Sequence, residues 1–171
     1  MVHTERLHIV PLKPEELDCY LRGNGRLEKR FKLKDNGRTV STDVRDRVNE
    51  VLLPRLRKMK GTDYLFLTFW LVVEKSSGSI VAELGFKGKP DGEGAIEIGY
   101  GTLPSRRGLG FMTEAVAGMI QWARTRPEVK WLTAETDKDN LASVRVMEKN
   151  NFESVALVGN MRWWRLPVSM L

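Results

Sequence analysis

Apolar and polar residues alternate in RLHIVPL, residues 6–12, which predicts a short strand. KPEELDCYLR follows with Pro14 at a helix start and Glu15 and Glu16 in its first turn. Residues 23–37 are basic and polar without a periodic apolar face, so they predict irregular chain. Ser41 or Thr42 then caps a second helix, DVRDRVNEVLLPRLRKM, with Val44, Val48, Val51 and Leu52 on one face. Pro54 kinks or divides that helix. FLTFWLVV, residues 66–73, is an unbroken apolar run and predicts a strand covered on both faces. SSG at 76–78 turns the chain into a return strand, SIVAELGF. After GKPDGEG, AIEIGY alternates Ile96, Ile98 and Tyr100 against Glu97 and Gly99.

Past Pro104 the period changes. Met112, Ala115, Val116, Met119, Ile120 and Ala123 recur at helical spacing and predict an amphipathic helix of about four turns. WLTAET (131–136) reads as a strand, NLASVRVMEKN (140–150) as a short helix, and FESVALV and MRWWRLPV as two closing strands. The order βααβββαβαββ defines one α+β unit over residues 1–171, with no repeat, low-complexity tract or linker.

Composition narrows the chemistry. Apolar residues make up 42% and charged residues 29%, enough to close a core without a partner. Cys19 is the sole cysteine, which excludes an intramolecular disulfide and a cysteine-held zinc. The two histidines, His3 and His8, lie at the N-terminus, so no metal site and no Ser-His-Asp arrangement is expected. A general base must then be a carboxylate, a water or the substrate's own amine. No run reaches the roughly 18 apolar residues of a membrane span, and the N-terminus lacks the apolar core of a signal peptide. A soluble, cytoplasmic protein without a membrane partner is expected. The net charge of +6 favours an anionic partner.

SRRGLGFMTEA, residues 105–115, joins a strand to the start of the amphipathic helix. Gly108 and Gly110 admit close approach of a ligand, the first helical turn offers free N–H groups, and Arg106 and Arg107 add positive charge. The combination predicts a site for a diphosphate rather than a glycine turn that merely starts a helix beside two solvated arginines. Two cofactor classes compete for it. GLGFMT nearly matches the dinucleotide fingerprint Gly-x-Gly-x-x-Gly, and Glu135 stands where a ribose-binding acid would sit. Thr113 replaces the third glycine, however, and the preceding strands read as antiparallel hairpins rather than βαβ units.

Residues 107–115, RGLGFMTEA, resemble the pyrophosphate loop of the GNAT superfamily of N-acetyltransferases, in particular the branch of ribosomal-protein-alanine N-acetyltransferase-like enzymes. TERLHIVPL, IEIGYGTLP, Asn140-Leu-Ala-Ser143 and Glu148-Lys149-Asn-Asn-Phe152 resemble the same branch in the same order, so the likeness spans nearly the whole chain. The resemblance implies a mixed, mostly antiparallel central sheet with helices on both faces. It also implies a V-shaped splay between the strands at 94–100 and 131–136. It implies an acetyl-CoA-dependent enzyme that moves an acetyl group to a primary amine, on a protein N-terminus or a small molecule, by direct attack in a ternary complex. Acetyl-CoA is then a cosubstrate and no metal is needed. Backbone groups near Leu103 would hold the pantetheine arm. Arg106, Arg107, Gly108, Leu109, Gly110 and Phe111, with Met112 in the first helical turn, would hold the pyrophosphate, and Asn140 would reach the pantetheine or the acetyl end.

The chain departs from the family pattern at Ser105, where glutamine or arginine is usual, and at Asn151, where glycine commonly precedes Phe152. Met147 occupies the position at which many members carry a tyrosine that protonates the departing thiolate. Methionine has no proton to give. Ser143 or water would take that role. The attacking amine must lose a proton, and Glu97, in the strand beside the slot, is the first candidate base, with Glu83 the second. A solvated or ion-paired strand carboxylate is the alternative for either. Trp163 and Trp164 between Arg162 and Arg165 resemble a stacking platform for single-stranded nucleic acid, but neighbouring residues of a strand face opposite sides. GRLEKRFKLK, 25–34, reads as a solvated loop, the alternatives being a segment beside the acceptor site or an RNA contact. A dinucleotide-binding oxidoreductase and a basic RNA-binding module therefore stand as alternatives, with nucleic acid disfavoured. Monomer and homodimer are equally open.

Overall fold

The apolar segments after residue 66 become neighbouring strands because only a sheet satisfies their backbone groups while burying both faces. In the computed structural model, which describes residues 1–168, β1 (Val2–His3), β2 (Leu7–Pro11), β3 (Phe69–Glu74), β4 (Ser79–Phe86) and β5 (Ala95–Thr102) pair antiparallel in succession. β6 (Trp131–Asp137) pairs parallel with β5, and β7 (Glu153–Val158) and β8 (Met161–Pro167) complete an eight-stranded sheet in the order β1-β2-β3-β4-β5-β6-β8-β7. The mostly antiparallel sheet expected of the resemblance is present.

Helices cover both faces. α5 (Phe111–Arg124) and α6 (Leu141–Lys149) pack on one, where Trp70, Val72, Leu84, Ile98, Met119 and Met147 form the larger core. α1 (Pro14–Arg22), α2 (Arg26–Phe31), α3 (Thr42–Arg47) and α4 (Leu53–Leu56) pack on the other, over Leu71, Val73 and Ile80. Alternation along β3 sends Trp70 and Val72 to one core and Leu71 and Val73 to the other, as its unbroken apolar run predicts.

Several elements differ from the sequence reading. β1 is an added two-residue strand. β3 begins at Phe69 rather than residue 66, because Asp63–Phe66 form a 3₁₀ turn whose Leu65 carbonyl accepts from Trp70 Nε1 at 3.1 Å. Residues 23–37 are not wholly irregular, since α2 lies within them. Fully buried Leu27 anchors it, and Glu28 pairs with buried Arg38 at 3.1 Å. Six residues are too few to display a helical period. The break expected at Pro54 takes a specific form: residues Val48–Leu52 are a π-helical turn between α3 and α4, and Leu53 N–H donates to the Val48 carbonyl. The widened turn absorbs the missing proline N–H without ending the helix. Among the described residues no helix is long and apolar enough to cross a membrane.

Candidate active site

β5 and β6 stay paired only at Ala95–Trp131, Ile96–Leu132 and Glu97–Thr133. Beyond those rungs β5 runs on to Thr102 and β6 to Asp137 without mutual pairs, so the expected V-shaped slot is present. Hydrogen bonding decides which backbone groups face it. Leu103 N–H donates to the Val81 carbonyl, and Lys87 N–H donates to the Glu97 carbonyl. An antiparallel ladder alternates, so Glu97, Gly99 and Gly101 spend their groups on the β4 side while Ile98, Tyr100 and Thr102 turn theirs towards the slot. Leu103 follows directly on these outward groups; its N–H is bonded to Val81 and its carbonyl accepts from Arg106 N–H at 2.8 Å. The outward groups of Ile98, Tyr100 and Thr102 escaped sequence reasoning because register, not residue type, exposes them.

The glycine loop rises from the open end of that slot. Gly108 and Gly110 sit at φ +76° and +79°, and Gly110 is the N-cap of α5. The first α5 backbone bond runs from Glu114 N–H to the Gly110 carbonyl, and among the described residues the N–H groups of Phe111, Met112 and Thr113 have no backbone acceptor. The side chains of Phe111 and Met112 are buried, so only their amides face the loop. Leu109 is exposed. Arg107 Nε donates to the Thr102 carbonyl at 3.4 Å, at the lip of the slot. Arg106 is turned towards Glu74, 3.6 Å away. Arg6, which the sequence did not single out, braces the loop: its guanidinium donates to the Leu109 carbonyl, pairs with Glu114 at 2.7 Å and lies over the Phe111 ring. Burial alone would raise the Glu114 carboxyl, but bonds from Thr4 and Arg6 outweigh it and lower the carboxyl below its usual value.

On the sheet face opposite α5 lies a cavity of about 290 Å³, walled by α3, the π turn and α4 and floored by Gly85, Gly99 and Gly101. Among the described residues Glu83 is its sole acidic lining residue. Tyr20 donates its hydroxyl to Glu83 Oε2 at 2.7 Å, and the Arg38 guanidinium stacks on the Tyr20 ring at 4.3 Å. Burial raises the Glu83 carboxyl, partly offset by the Tyr20 hydrogen bond and the Arg38 charge. Burial, followed by the Glu83 charge, pushes the Tyr20 phenol far above its ordinary value, so it stays a donor. Glu97 shares the sheet face of Glu83, but Lys87 pairs with it and also lies 4.0 Å from Glu135.

On the other side of the slot, Asn140 Oδ1 accepts from Ser143 N–H at 3.2 Å and so caps α6. Among the described residues no hydrogen bond ties down the Ser143 hydroxyl. The Tyr100 hydroxyl spans from β5 to α6 and donates to the Ser143 carbonyl at 3.2 Å; burial pushes its pKa up to about 12. Met147 is fully buried in the larger core, which accounts for an apolar residue there. Asn151 has φ +60°, the left-handed conformation that a glycine adopts freely and asparagine tolerates. Trp164 is buried and donates Nε1 to Thr136, while Trp163 points to solvent from the opposite face, so the pair forms no double stacking platform.

A slot between splayed parallel strands, topped by a left-handed glycine loop at a helix N-terminus, defines a class of fold built around a phosphate-bearing cosubstrate. Residues 6–153 match the acetyltransferase (GNAT) domain model, and the chain belongs to that family of N-acetyltransferases. It is 32% identical over 155 residues, 89% of each chain, to the uncharacterized N-acetyltransferase YjdG of Bacillus subtilis. In fold it is similar to RimL, the ribosomal L7/L12 alpha-N-protein acetyltransferase, solved with coenzyme A (TM-score 0.65, 15% identity, 96% of this chain and 95% of that one). It is also similar to the spermidine N-acetyltransferase of Vibrio cholerae, solved with CoA and spermine (TM-score 0.64, 11% identity, 96% of each). One parallel strand pair in an otherwise antiparallel sheet, together with the family match, removes the dinucleotide-binding oxidoreductase.

Proposed function

We propose that this N-acetyltransferase binds acetyl-CoA in the β5–β6 slot and delivers the acetyl group to a primary amine seated in the cavity beneath α3 and α4, in a ternary complex. The observation that carries the reading is the end of β5–β6 pairing at Glu97–Thr133, on the strand that runs on into the glycine loop. The free amides of 111–113, the two left-handed glycines and Arg107 suit a diphosphate, and the outward backbone groups of Ile98, Tyr100 and Thr102 suit an amide-bearing arm. When bound, acetyl-CoA supplies the acetyl thioester.

Glu83 receives the amine proton. It faces the cavity, and its raised carboxyl titrates closer to neutrality than an ordinary glutamate, which suits a group that must accept a proton and give it up again. Tyr20 and Arg38 orient it. Glu97 is a weaker candidate because Lys87 already holds its carboxylate. Water, or the unengaged Ser143 hydroxyl, returns a proton on the slot side. Calorimetry with CoA and with phosphate-free pantetheine tests the loop assignment: micromolar CoA binding, about −8 kcal/mol, must be largely lost with pantetheine. Equal affinity for the two ligands removes the loop from the site.

A further inference from the structure

The cavity is marked by the charges around it. Its walls are apolar, with Val48, Val51, Leu52, Leu67, Phe69 and Phe86 contributing, yet three cations also line it: Arg47, Arg55 and Lys87. Lys87 is neutralised by Glu97. Arg47 and Arg55 are exposed, and among the described residues neither has a carboxylate within ion-pair distance. Asp43, Asp46 and Glu50 share their helical stretch but do not line the cavity. The π turn lies between the two arginines in sequence and contributes Val48, Val51 and Leu52 to the wall they border. Glu83, the acidic lining group, sits on the strand floor.

An amine entering this cavity meets one carboxylate on the floor and two unpaired guanidiniums on the helical wall. A polyamine carries further cations that would face those arginines unfavourably. A carboxylate near the amine would instead be received by the planar fork of a guanidinium. The volume, about 290 Å³, is roughly twice that of a ~150 Å³ cavity that accepts benzene, so the apolar body it accepts is the size of one amino-acid residue.

We propose that the acceptor is an amine on an apolar, amino-acid-sized body with a carboxylate close by, its amine directed to Glu83 and its carboxylate to Arg47 and Arg55. This rests on the reading of the cavity as the acceptor site. Two sources share the chemistry: a free apolar amino acid, and a peptide N-terminus with an apolar first residue followed by acidic ones.

The test measures CoA thiol release from acetyl-CoA with L-leucine, L-leucinamide, spermidine, and peptides beginning Met-Asp-Glu or Met-Lys-Lys. The expected result is a kcat/KM at least tenfold higher for leucine than for leucinamide if the free amino acid is the source, or for the acidic over the basic peptide if a protein N-terminus is. Spermidine should be slower than the preferred substrate, and the preference should collapse in the Arg47→Gln/Arg55→Gln double variant with CoA affinity retained. Equal rates within both pairs, a preference for spermidine or the basic peptide, a preference that survives the double variant, or no turnover of any of these amines overturns the proposal. Failure of the parent reading is distinguishable. If the cavity is not the acceptor site, Gly99→Phe leaves turnover of every amine unchanged. If only the charge argument is wrong, Gly99→Phe still inhibits.

Discussion

Filling the cavity from its floor tests the acceptor site most directly, and Gly99 is the position from which to do it. A Cβ built on Gly99 meets nothing within 4 Å, and its φ lies outside the left-handed region, so a side chain enters open space without backbone strain. Gly85, its partner on β4, differs: a Cβ there would stand 2.7 Å from the Thr68 carbonyl oxygen. In Gly99→Phe the ring takes about half of the roughly 290 Å³ cavity, by comparison with the ~150 Å³ that holds benzene. An acceptor that loses the burial of two to three methylenes, at about 0.8 kcal/mol each, loses about 2 kcal/mol. That is roughly 30-fold in kcat/KM. Removing a strand glycine, which costs about 0.5–1 kcal/mol relative to alanine, should hold or raise Tm. CoA affinity should stay within about twofold, because the slot is served by the backbone of Ile98, Tyr100 and Thr102. Steady-state thiol release against acceptor concentration, with calorimetry for CoA, reads all three quantities. A folded Gly99→Phe with unchanged acceptor kinetics refutes the assignment of the cavity, and lost CoA binding refutes the separation of the two sites.

Glu83→Gln should lower kcat/KM by up to about 100-fold and abolish the acid limb of its pH profile. Because burial raises the folded-state carboxyl, its stabilising contribution is present at acid pH and lost as pH rises through the folded value. The glutamine variant should therefore melt higher than wild type at neutral pH and lose that advantage below about pH 4; an intact acid limb, with Glu97→Gln impaired instead, moves the base to Glu97. Gly110→Asp forces a carboxylate and a φ of +79° on the loop, with its Cβ 3.4 Å from Arg6 Nη2, and should weaken CoA at least tenfold while lowering Tm by a few degrees; unchanged CoA binding in calorimetry counts against the loop. Ser143→Ala should leave kcat within about twofold, with water protonating the thiolate, whereas a drop of about tenfold at constant CoA affinity places the hydroxyl in the transition state.

Residues 105–123 were readable in detail from sequence because the signals there are local: two glycines, two arginines, a strand before them and a helical period after. The meander β3–β5, the helix from Leu141 and the closing strands β7 and β8 were legible for the same reason, their patterns of period 2 or 3.6 being carried by a few consecutive residues. The slot was legible only through the resemblance, since splaying is a relation between two strands that no single strand encodes. The helix α2, held by Leu27 and the buried Glu28–Arg38 pair, was missed because its six residues have no period and its stabilising contacts come from elsewhere in the chain. The choice between Glu83 and Glu97 was likewise beyond sequence. Both are strand glutamates on one sheet face, and what separates them is a partner: Tyr20, 63 positions away, donates to Glu83, while Lys87 pairs with Glu97. Sequence by itself determined most of the elements, their order and the glycine-rich turn before α5, because those follow from nearest-neighbour propensity and spacing. Tertiary structure alone decided which carboxylate faces a cavity, which arginines go unpaired and which backbone groups line the slot, because burial, pairing and register are set by residues distant in the chain.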